Sequence, residues 1–530
     1  MKNLYIVLFI ILVFNSNFFS QKLKNQILRE KTSSSILTPV IFLPGIMGSP
    51  LYDDENNNNK LEIDEKAWFG AKFPSMWLQS NGIDPAGAYN IKASPLRNDS
   101  LNNLRNELNA VPMDLYKGFF DNLEQNDYIL DNYDNNHNQG ENLFCFTYDW
   151  RKDNRTIAGL LSDFIDSVRE WTGAAKINLI GHSMGGIVAK TCIKIYDKSR
   201  IDKVVFIGTP HLGAAEMMTV MLKGKLFEWL NFFVAEVSVK SLSRNLPSCY
   251  QLIPSAAYFN LQLKNNISSG VEIYSDCLQL PNGNFTNYSE MNAYLKNYKS
   301  SFNENLNSAL IDSAELFKDS ISFVDFGDVK VFNIVGYNIP TIGKNRISTN
   351  PPFNLITVEE SRNLNGDFTV PLRSAEIVNG QIPEHTYYIP DIKHCDLPSS
   401  KQVLEILLGI FKEPPETNFP QYSIVPSSYA APVTGIYGEK EKPETLYFYQ
   451  NYPNPFNLAT NFEFRTADFE LVTLGVFDIL GNEVAAIVNK ELPAGNYKYQ
   501  WDAGGFASGV YFCKIQAGSF IETKKLILMK

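Results

Sequence analysis

Lys176-Ile-Asn-Leu-Ile-Gly-His-Ser-Met-Gly-Gly-Ile-Val-Ala-Lys190 is the stretch of sequence that decides the fold. Its first five residues predict a buried strand, and the apolar residues from Ile187 to Tyr196 predict a helix. The pentapeptide between them, residues 181–185, has the pattern Gly-x-Ser-x-Gly, which in this context is typical of a nucleophile turn. The glycines leave room for a sharp bend, and the helix N-terminus offers free N–H groups to a developing oxyanion. The alternative is an ordinary glycine-rich turn.

Outward from this stretch, further apolar runs alternate with helical patterns. The segment 157–171 has apolar residues at helical spacing, and several short runs read as strands. These runs are residues 39–45, 143–148, 204–207, 329–335 and 386–389. Strands that alternate with helices predict an α/β fold, in which helices cover a parallel sheet.

A serine hydroxyl needs a base, because it is a weak nucleophile while it is un-ionised. In a fold of this kind the partners follow in the order Ser, Asp or Glu, His, and the chain has only five histidines. We predict that His394, in the loop 390–398 after a predicted strand, is the base for Ser183. His385 lies directly before an apolar run and is more typical of a strand start.

The carboxylate should lie between the serine and the histidine in the chain. Asp367, in the glycine-containing turn 365–372, is the predicted residue that orients the imidazole and stabilises its cation. Asp325 and Asp328 are rivals, although both also read as turn residues.

The oxyanion hole needs backbone N–H groups from two places. We assign them to Met184, directly after the serine, and to Ile46 in Pro44-Gly45-Ile46-Met47-Gly48. The alternative for the second segment is a simple turn.

Composition narrows the class of protein. The chain has 530 residues, 47 Lys and Arg against 57 Asp and Glu, and a net charge of −10, which argues against a nucleic-acid partner. Six cysteines are too few for a disulfide scaffold, and Cys249 with Cys277 is the one pair we would guess. Neither a metal-binding spacing nor a cofactor motif occurs, so we predict no metal and no cofactor.

The two ends of the chain differ from its centre. Residues 1–20 have a positive start, a short apolar run and a small residue at Ser20, as in a secretory signal peptide; the alternative is an uncleaved anchor. Residues 413–445 are rich in Pro, Ser and charge and predict a linker. Residues 446–530 show short alternating strands separated by turns, which predict a small all-β sandwich.

Several motifs together resemble the lecithin:cholesterol acyltransferase and lysosomal phospholipase family over residues 38–412. They are Pro39-Val-Ile-Phe-Leu-Pro-Gly-Ile-Met-Gly-Ser-Pro-Leu51, Tyr148-Asp-Trp-Arg151, Gly181-His-Ser-Met-Gly-Gly186 and Gly366-Asp-Phe-Thr-Val-Pro-Leu372. The resemblance implies an α/β-hydrolase fold with cap and lid insertions, acting on acyl esters of phospholipids. By position it makes Ser183 the nucleophile, Asp367 the orienting acid and His394 the base.

The same resemblance suggests roles for residues around the predicted site. Trp68 and Trp77 resemble the family's mobile lid, which animal members brace with a disulfide, whereas no cysteine precedes Cys145 here. Trp77 could contact an acyl chain or an interface, or it could be buried packing. Asp149 and Arg151 are expected to brace a loop near the site, and the apolar stretch 214–237 is either a cap or a core helix.

The C-terminal residues resemble a second family. Tyr449-Gln-Asn-Tyr-Pro-Asn-Pro-Phe-Asn457, Ala507-Ser-Gly-Val-Tyr-Phe512 and Thr523-Lys-Lys-Leu-Ile-Leu-Met-Lys530 are similar to the type A sorting domain of the type IX secretion system. This implies the secretion machinery as a partner and export through the periplasm, to the cell surface or the medium.

The sequence therefore predicts a secreted serine acyl hydrolase or O-acyltransferase that works on lipid esters, phospholipids foremost, at a membrane or micelle surface. A triacylglycerol or carboxyl esterase is the alternative within enzymes. A non-catalytic surface binding protein is the alternative from another class, since sorting domains also occur on such proteins.

Overall fold

In the computed structural model, the six apolar runs found in the sequence form one parallel sheet. From one edge to the other, its strands are residues 386–390, 330–337, 201–207, 177–182, 40–43 and 143–145. The strands of this part of the chain are β1 (Val40–Leu43), β2 (Leu51–Asp53), β3 (Ile91–Ala93), β4 (Leu143–Cys145), β5 (Ile177–His182), β6 (Ile201–Ile207), β7 (Leu278–Leu280), β8 (Gly283–Asn284), β9 (Lys330–Tyr337), β10 (Ile339–Thr341), β11 (Lys344–Asn350), β12 (Leu355–Ser361), β13 (Leu364–Gly366) and β14 (Thr386–Pro390). The predicted parallel sheet is confirmed.

The structure describes part of the chain. The described residues are 37–49, 51–53, 91–93, 116–131, 140–224, 236–261, 277–280, 283–298, 305–350, 355–426, 447–448, 451, 454, 456–466, 470–479, 481–492, 495–517 and 520–529. The predicted signal peptide, Trp68 and Trp77 lie outside them. The chain divides into two compact units, residues 1–432 and 433–530, each considered by itself below.

Helices cover both faces of the sheet. They are α1 (Lys117–Glu124), α2 (Asn154–Thr172), α3 (Met184–Ile195), α4 (Ala215–Lys223), α5 (Glu236–Ser243), α6 (Pro247–Leu252), α7 (Ala256–Phe259), α8 (Tyr288–Lys296), α9 (Ser308–Ser320), α10 (Leu372–Glu376) and α11 (Lys401–Ile410), with 3-10 turns at Lys198–Arg200, His394–Ser399 and Pro420–Tyr422. The bounds of α2 follow from its caps: the Asp153 side chain accepts from the Arg155 amide, and Gly173 ends the helix at φ 69°.

The alternation of side chains along each strand builds two apolar cores. In β1, Ile41 and Leu43 join the core that includes residues of α2 and α3. Val40 and Phe42 point the other way and join the core that includes residues of α1 and α11. Because both faces of the sheet are buried, the strands are continuous apolar runs rather than alternating ones. The molecule is a three-layer α/β structure, and the predicted fold class is confirmed.

An insertion fills the long interval between Ser183 and Asp367. It contributes α4 to α9 and a four-stranded sheet of order β12-β11-β7-β8. Within the stretch 214–237, whose nature was left open, helix α4 is buried along nearly its whole length. The Thr219 hydroxyl and the Ala215 carbonyl hydrogen-bond the amide of Asn345 in β11, which joins α4 to the inserted sheet.

The first unit continues past the boundary at residue 412 that the sequence predicts. Phe419 is buried in the core that contains α11, and Glu413 forms an ion pair with the buried Lys203, 2.9 Å from Oε1 to Nζ. The expected linker therefore begins too early at 413. The Pro-rich composition of this segment gave no indication that Glu413 and Phe419 contact the first unit.

The second unit is made of antiparallel strands. They are β15 (Tyr447–Phe448), β16 (Ala459–Thr466), β17 (Glu470–Phe477), β18 (Glu483–Leu492), β19 (Gly495–Asp502), β20 (Gly509–Ala517) and β21 (Phe520–Leu528). The sheets β15-β16-β19 and β18-β17-β20-β21 share one core, in which Phe462, Trp501 and Cys513 are buried. The predicted all-β sandwich is confirmed.

All six cysteines carry free thiols in the structure, so the guess that Cys249 pairs with Cys277 is wrong. Cys277 instead contacts Met291, with 3.6 Å between the two sulfur atoms. Within the described residues, no helix combines the length and the apolar character that crossing a bilayer requires.

Candidate active site

Ser183 occupies the sharp turn between β5 and α3. Its backbone has φ 55° and ψ −125°, a strained conformation for a residue with a side chain, and its N–H donates to the Ile207 carbonyl at 2.9 Å. The neighbouring glycines explain how the turn closes. A Cβ on Gly185 would lie 2.2 Å from the Leu43 carbonyl oxygen, and one on Gly181 would lie 2.5 Å from Cα of Gly186. The helix can therefore start close against the end of β1.

Asp367 and His394 form a buried pair. The imidazole Nδ1 lies 2.8 Å from the carboxylate Oδ2, and the His394 amide donates to the Asp367 carbonyl at 2.8 Å. The other carboxylate oxygen, Oδ1, accepts from the amides of Thr369 and Val370 at 3.1 and 2.7 Å. These two bonds fix the carboxylate and leave Oδ2 for the histidine.

Two glycines make space for this pair. A Cβ on Gly208, which has φ 55°, would lie 3.1 Å from Nδ1 of His394 and 3.2 Å from Oδ2 of Asp367. A Cβ on Gly336 would lie 2.6 Å from Cβ of Asp367. The ends of β6 and β9 thus bring the pair to the same edge of the sheet as the serine.

Residues next to Ser183 connect its turn with the loops of the other predicted site residues. The ring of His182, the residue before the serine, lies 4.7 Å from the ring of His394. On the other side, a Cβ on Gly45 would lie 2.8 Å from Cβ of Ser183, so the loop that carries Ile46 touches the turn. Met184 is the first residue of α3, where an amide has no partner within the helix.

Tyr116 is a residue that the sequence reasoning missed. Its hydroxyl accepts from the Gly45 amide at 2.9 Å and donates to Nδ1 of His182 at 2.8 Å. Nε2 of His182 in turn donates to the His394 carbonyl at 3.0 Å. The chain of bonds links the loop of Ile46, the serine turn and the histidine loop, and it requires neutral His182 with its proton on Nε2.

Burial keeps this link neutral. Desolvation and the nearby His394 hold the pKa of His182 well below its usual range. Desolvation also raises the pKa of the Tyr116 hydroxyl. No local motif marks Tyr116, since 66 residues separate it from His182.

Glu216 is a second residue without a sequence signal. It lies in the first turn of α4, buried, and Oε2 has no hydrogen-bond partner among the described residues. Burial raises the pKa of its carboxyl to about 7, with smaller opposing effects from Arg362 and His394. A buried carboxyl group with a raised pKa therefore lies near the pair Asp367–His394.

The other sequence candidates lie elsewhere or brace the site. Asp325 is exposed and forms an ion pair with Lys198, as expected for a turn residue. The ring of His385 stacks on Phe332 at 5.2 Å. In the motif 148–151, the Tyr148 hydroxyl donates to the Pro44 carbonyl, the Trp150 indole donates to the Ser49 carbonyl, and Arg151 pairs with Asp149. The motif thus braces the loop of Ile46.

Two parts of the chain match families of known proteins. Residues 113–335 match the family model of lecithin:cholesterol acyltransferase. The resemblance to that family is confirmed. Residues 450–529 match the secretion system C-terminal sorting domain, which indicates export through the periplasm to the cell surface or the medium.

Two curated relatives come from Arabidopsis thaliana. The chain is 30% identical to lecithin-cholesterol acyltransferase-like 4 over 43% of its length and 44% of the relative's. It is 26% identical to phospholipase A(1) LCAT3 over 47% of its length and 56% of the relative's. The chain thus spans about half the length of the curated relatives it matches. A chain of the Tle4–Tli4 complex aligns with 73% of this protein at a TM-score of 0.49 and 14% identity, with all of that chain covered.

Proposed function

We propose that the protein is an exported lipid acyl hydrolase or O-acyltransferase that works through an acyl-enzyme on Ser183. The observation that carries the proposal is a strained serine at a strand-to-helix turn, whose neighbour His182 has its ring 4.7 Å from that of His394. Nδ1 of the buried His394 in turn lies 2.8 Å from the carboxylate of Asp367. The family match over residues 113–335 supports lipid esters as the substrate class.

The chemistry begins with attack by Oγ of Ser183 on the ester carbonyl carbon, while Nε2 of His394 takes the hydroxyl proton. Asp367 holds the ring by Nδ1 and stabilises its cation. The carbonyl oxygen becomes an oxyanion, and we assign its stabilisation to hydrogen bonds from the amides of Ile46 and Met184. When the tetrahedral intermediate collapses, the alcohol leaves with the proton from His394, and the acyl group remains on Ser183.

Discharge of the acyl-enzyme decides between hydrolysis and transfer. His394 takes a proton from water or from an acceptor alcohol, whose oxygen attacks the acyl carbon, and then returns that proton to Ser183. Water yields a fatty acid, and an alcohol yields a new ester. The same residues serve both outcomes, so the accessibility of the acceptor decides between them.

Phospholipid is the substrate we propose first, because one curated relative is called a phospholipase A(1) and the matching family model is named for lecithin, which is a phospholipid. Triacylglycerol or a simple carboxyl ester is the alternative. We place the reaction at a membrane or micelle surface, where such lipids are presented.

The test is a Ser183→Ala variant of the full chain, compared with the native protein on vesicles of phosphatidylcholine. We expect kcat to fall by at least about 10³-fold while the folded state persists, because the nucleophile is lost and binding is kept. Circular dichroism and the melting temperature serve as folding controls. Ser167→Ala, at a partly exposed position of α2, is the matched variant and should retain full activity.

The product distribution completes the test. Free fatty acid in the presence of a long-chain alcohol would indicate a hydrolase, and an ester of that alcohol would indicate a transferase. A native protein that is folded but releases no acyl group from phospholipid, triacylglycerol or short esters would contradict the proposal and favour a non-catalytic surface binding protein.

A further inference from the structure

A cavity of about 360 Å³ lies beside α3, and none of Ser183, Asp367 and His394 lines it. Its walls come from α3, the loop 210–213 after β6, the start of α7, the end of α9 and the segment after α10. The volume is that of a site for a small molecule. The cavity is therefore distinct from the serine site described above.

Lys190 of α3 lines this cavity and is 2% exposed. Within the described residues no hydrogen bond or ion pair reaches its ammonium group. Burial lowers the pKa of Lys190 to about 7, because the charged form loses its hydration. A buried cation without a partner is costly, and an anion bound in the cavity would supply that partner.

His211 faces the same space. It is 8% exposed, and neither ring nitrogen has a hydrogen-bond partner in the described part of the chain. Burial and the neighbouring Lys190 hold the pKa of His211 well below its usual range, against a smaller opposing effect of the Asn333 side chain, so the ring is neutral and carries one N–H. The imidazole and the ammonium group together form an unfilled set of donors.

Other charged groups line the cavity. Lys318 of α9 is partly buried, with Nζ 3.4 Å from the Pro254 carbonyl, and burial lowers its pKa to about 8. Arg373 is already paired with Glu376, and Asp319 supplies a single exposed carboxylate. The lining therefore has more positive than negative charge.

The remaining wall is mixed. Its apolar part includes Leu212, Leu261, Ile321 and Phe323, and its polar part consists of Gln251, Ser255, Asn260, Ser322 and Asn379. Donors for an anion and an apolar wall in one cavity fit a ligand with an anionic head and a hydrocarbon body. We propose that this cavity binds a small aliphatic carboxylate, whose oxygens accept hydrogen bonds from Lys190 and His211. The proposal does not depend on the chemistry at Ser183.

The test is calorimetric titration of the full chain with octanoate. We expect saturable binding at one site, weakened at least tenfold in Lys190→Met, which keeps the bulk of the side chain and removes its charge. Lys176→Met, at an exposed position before β5, is the matched control and should bind like the native protein. Equal binding by Lys190→Met would overturn the proposal.

A second variant tests the same site independently, in case Lys190→Met does not fold. Ala257 lies at the cavity wall and is exposed, so Ala257→Trp should fill the space without disturbing the core. We expect it to weaken octanoate binding at least tenfold at an unchanged melting temperature. Native affinity in this variant would contradict the site.

Two further experiments test the chemistry of the ligand and the location of its binding site. Acetate and inorganic phosphate should bind at least tenfold more weakly than octanoate, and equal affinity would refute the role of the apolar wall. Covalent blocking of Ser183 with an alkyl phosphonate should leave octanoate binding unchanged. Loss of binding after blocking would assign the ligand to the serine site and overturn the proposal.

Discussion

At the scale of single residues, one hydroxyl connects three segments of the candidate site. Tyr116 bonds the Gly45 amide and His182, and His182 bonds the His394 carbonyl. Tyr116 is a positioning residue, since it acts through the loops that carry the reacting groups. A buried polar network of this kind is worth keeping only when every member is satisfied.

Tyr116→Phe should lower kcat about tenfold with KM within about twofold, because the Gly45 amide and Nδ1 of His182 lose their partner while the substrate surface is unchanged. Steady-state kinetics on phosphatidylcholine vesicles measure this. Tyr128→Phe removes another buried hydroxyl in the same core and should leave both constants unchanged. An equal loss of activity in both variants would refute the positioning role.

Glu216 predicts a dependence of stability on pH. The folded state raises the pKa of its carboxyl from 4.5 to about 7. Between these values the folded protein holds a proton that the unfolded chain has lost, so this group lowers stability as pH rises through the window. Glu216→Gln should therefore gain stability over the native protein, by up to about 3 kcal/mol, from pH 4.5 to 7.5.

Urea unfolding at a series of pH values measures this gain. Above pH 7.5 the difference between the two proteins should be constant. Glu384→Gln, at an exposed position, should show no such change. A difference for Glu216→Gln that does not vary with pH would show that the carboxyl is already ionised in the fold.

At the scale of elements, the turn from β5 to α3 depends on close backbone contacts. Gly185→Ala would place a Cβ 2.2 Å from the Leu43 carbonyl oxygen and 2.6 Å from that of Pro44. Because both atoms belong to the backbone at the end of β1, we expect a loss of about 3 kcal/mol or more and a loss of activity. Thermal unfolding and esterase assays check this.

The matched control is Gly159→Ala in the middle of α2. Its Cβ would lie 2.9 Å from the hydroxyl of Tyr196, the end of an exposed side chain that can turn away. Since Ala is the better helix former, stability should stay the same or rise by up to about 1 kcal/mol. If both variants lost the same stability, helix packing in general rather than the turn would be responsible.

At the scale of the whole molecule, the predicted catalytic residues and the sorting domain belong to different units. The predicted catalytic residues and both cores of the parallel sheet lie within residues 1–432, and the sorting domain lies within 433–530. A chain that ends at Pro432 should therefore keep kcat/KM within about twofold of the full chain. In its native host it should no longer reach the cell surface or the medium.

Activity assays on the purified truncated protein and fractionation of the host cells test the two halves of this prediction. Truncation combined with Ser183→Ala provides the inactive control. A soluble, folded but inactive truncated protein would mean that the second unit contributes to the site.

The sequence was sufficient where its signals are local. An apolar run before Gly-x-Ser-x-Gly and a helical pattern after it fix β5, the turn and α3, since each depends on neighbouring residues alone. The six strands of the sheet and the all-β sandwich follow from the same short-range patterns. Asp367 and His394 could be selected because their chain order is constrained and histidines are scarce.

Tertiary structure alone decided what depends on distant partners. Tyr116, Glu216 and Lys190 gain their properties from burial and from groups far away in the chain, so no pattern around them reveals these roles. The same reason explains the two errors. Whether Cys249 meets Cys277, and where the first unit ends near Phe419, depend on packing in three dimensions, which composition does not record.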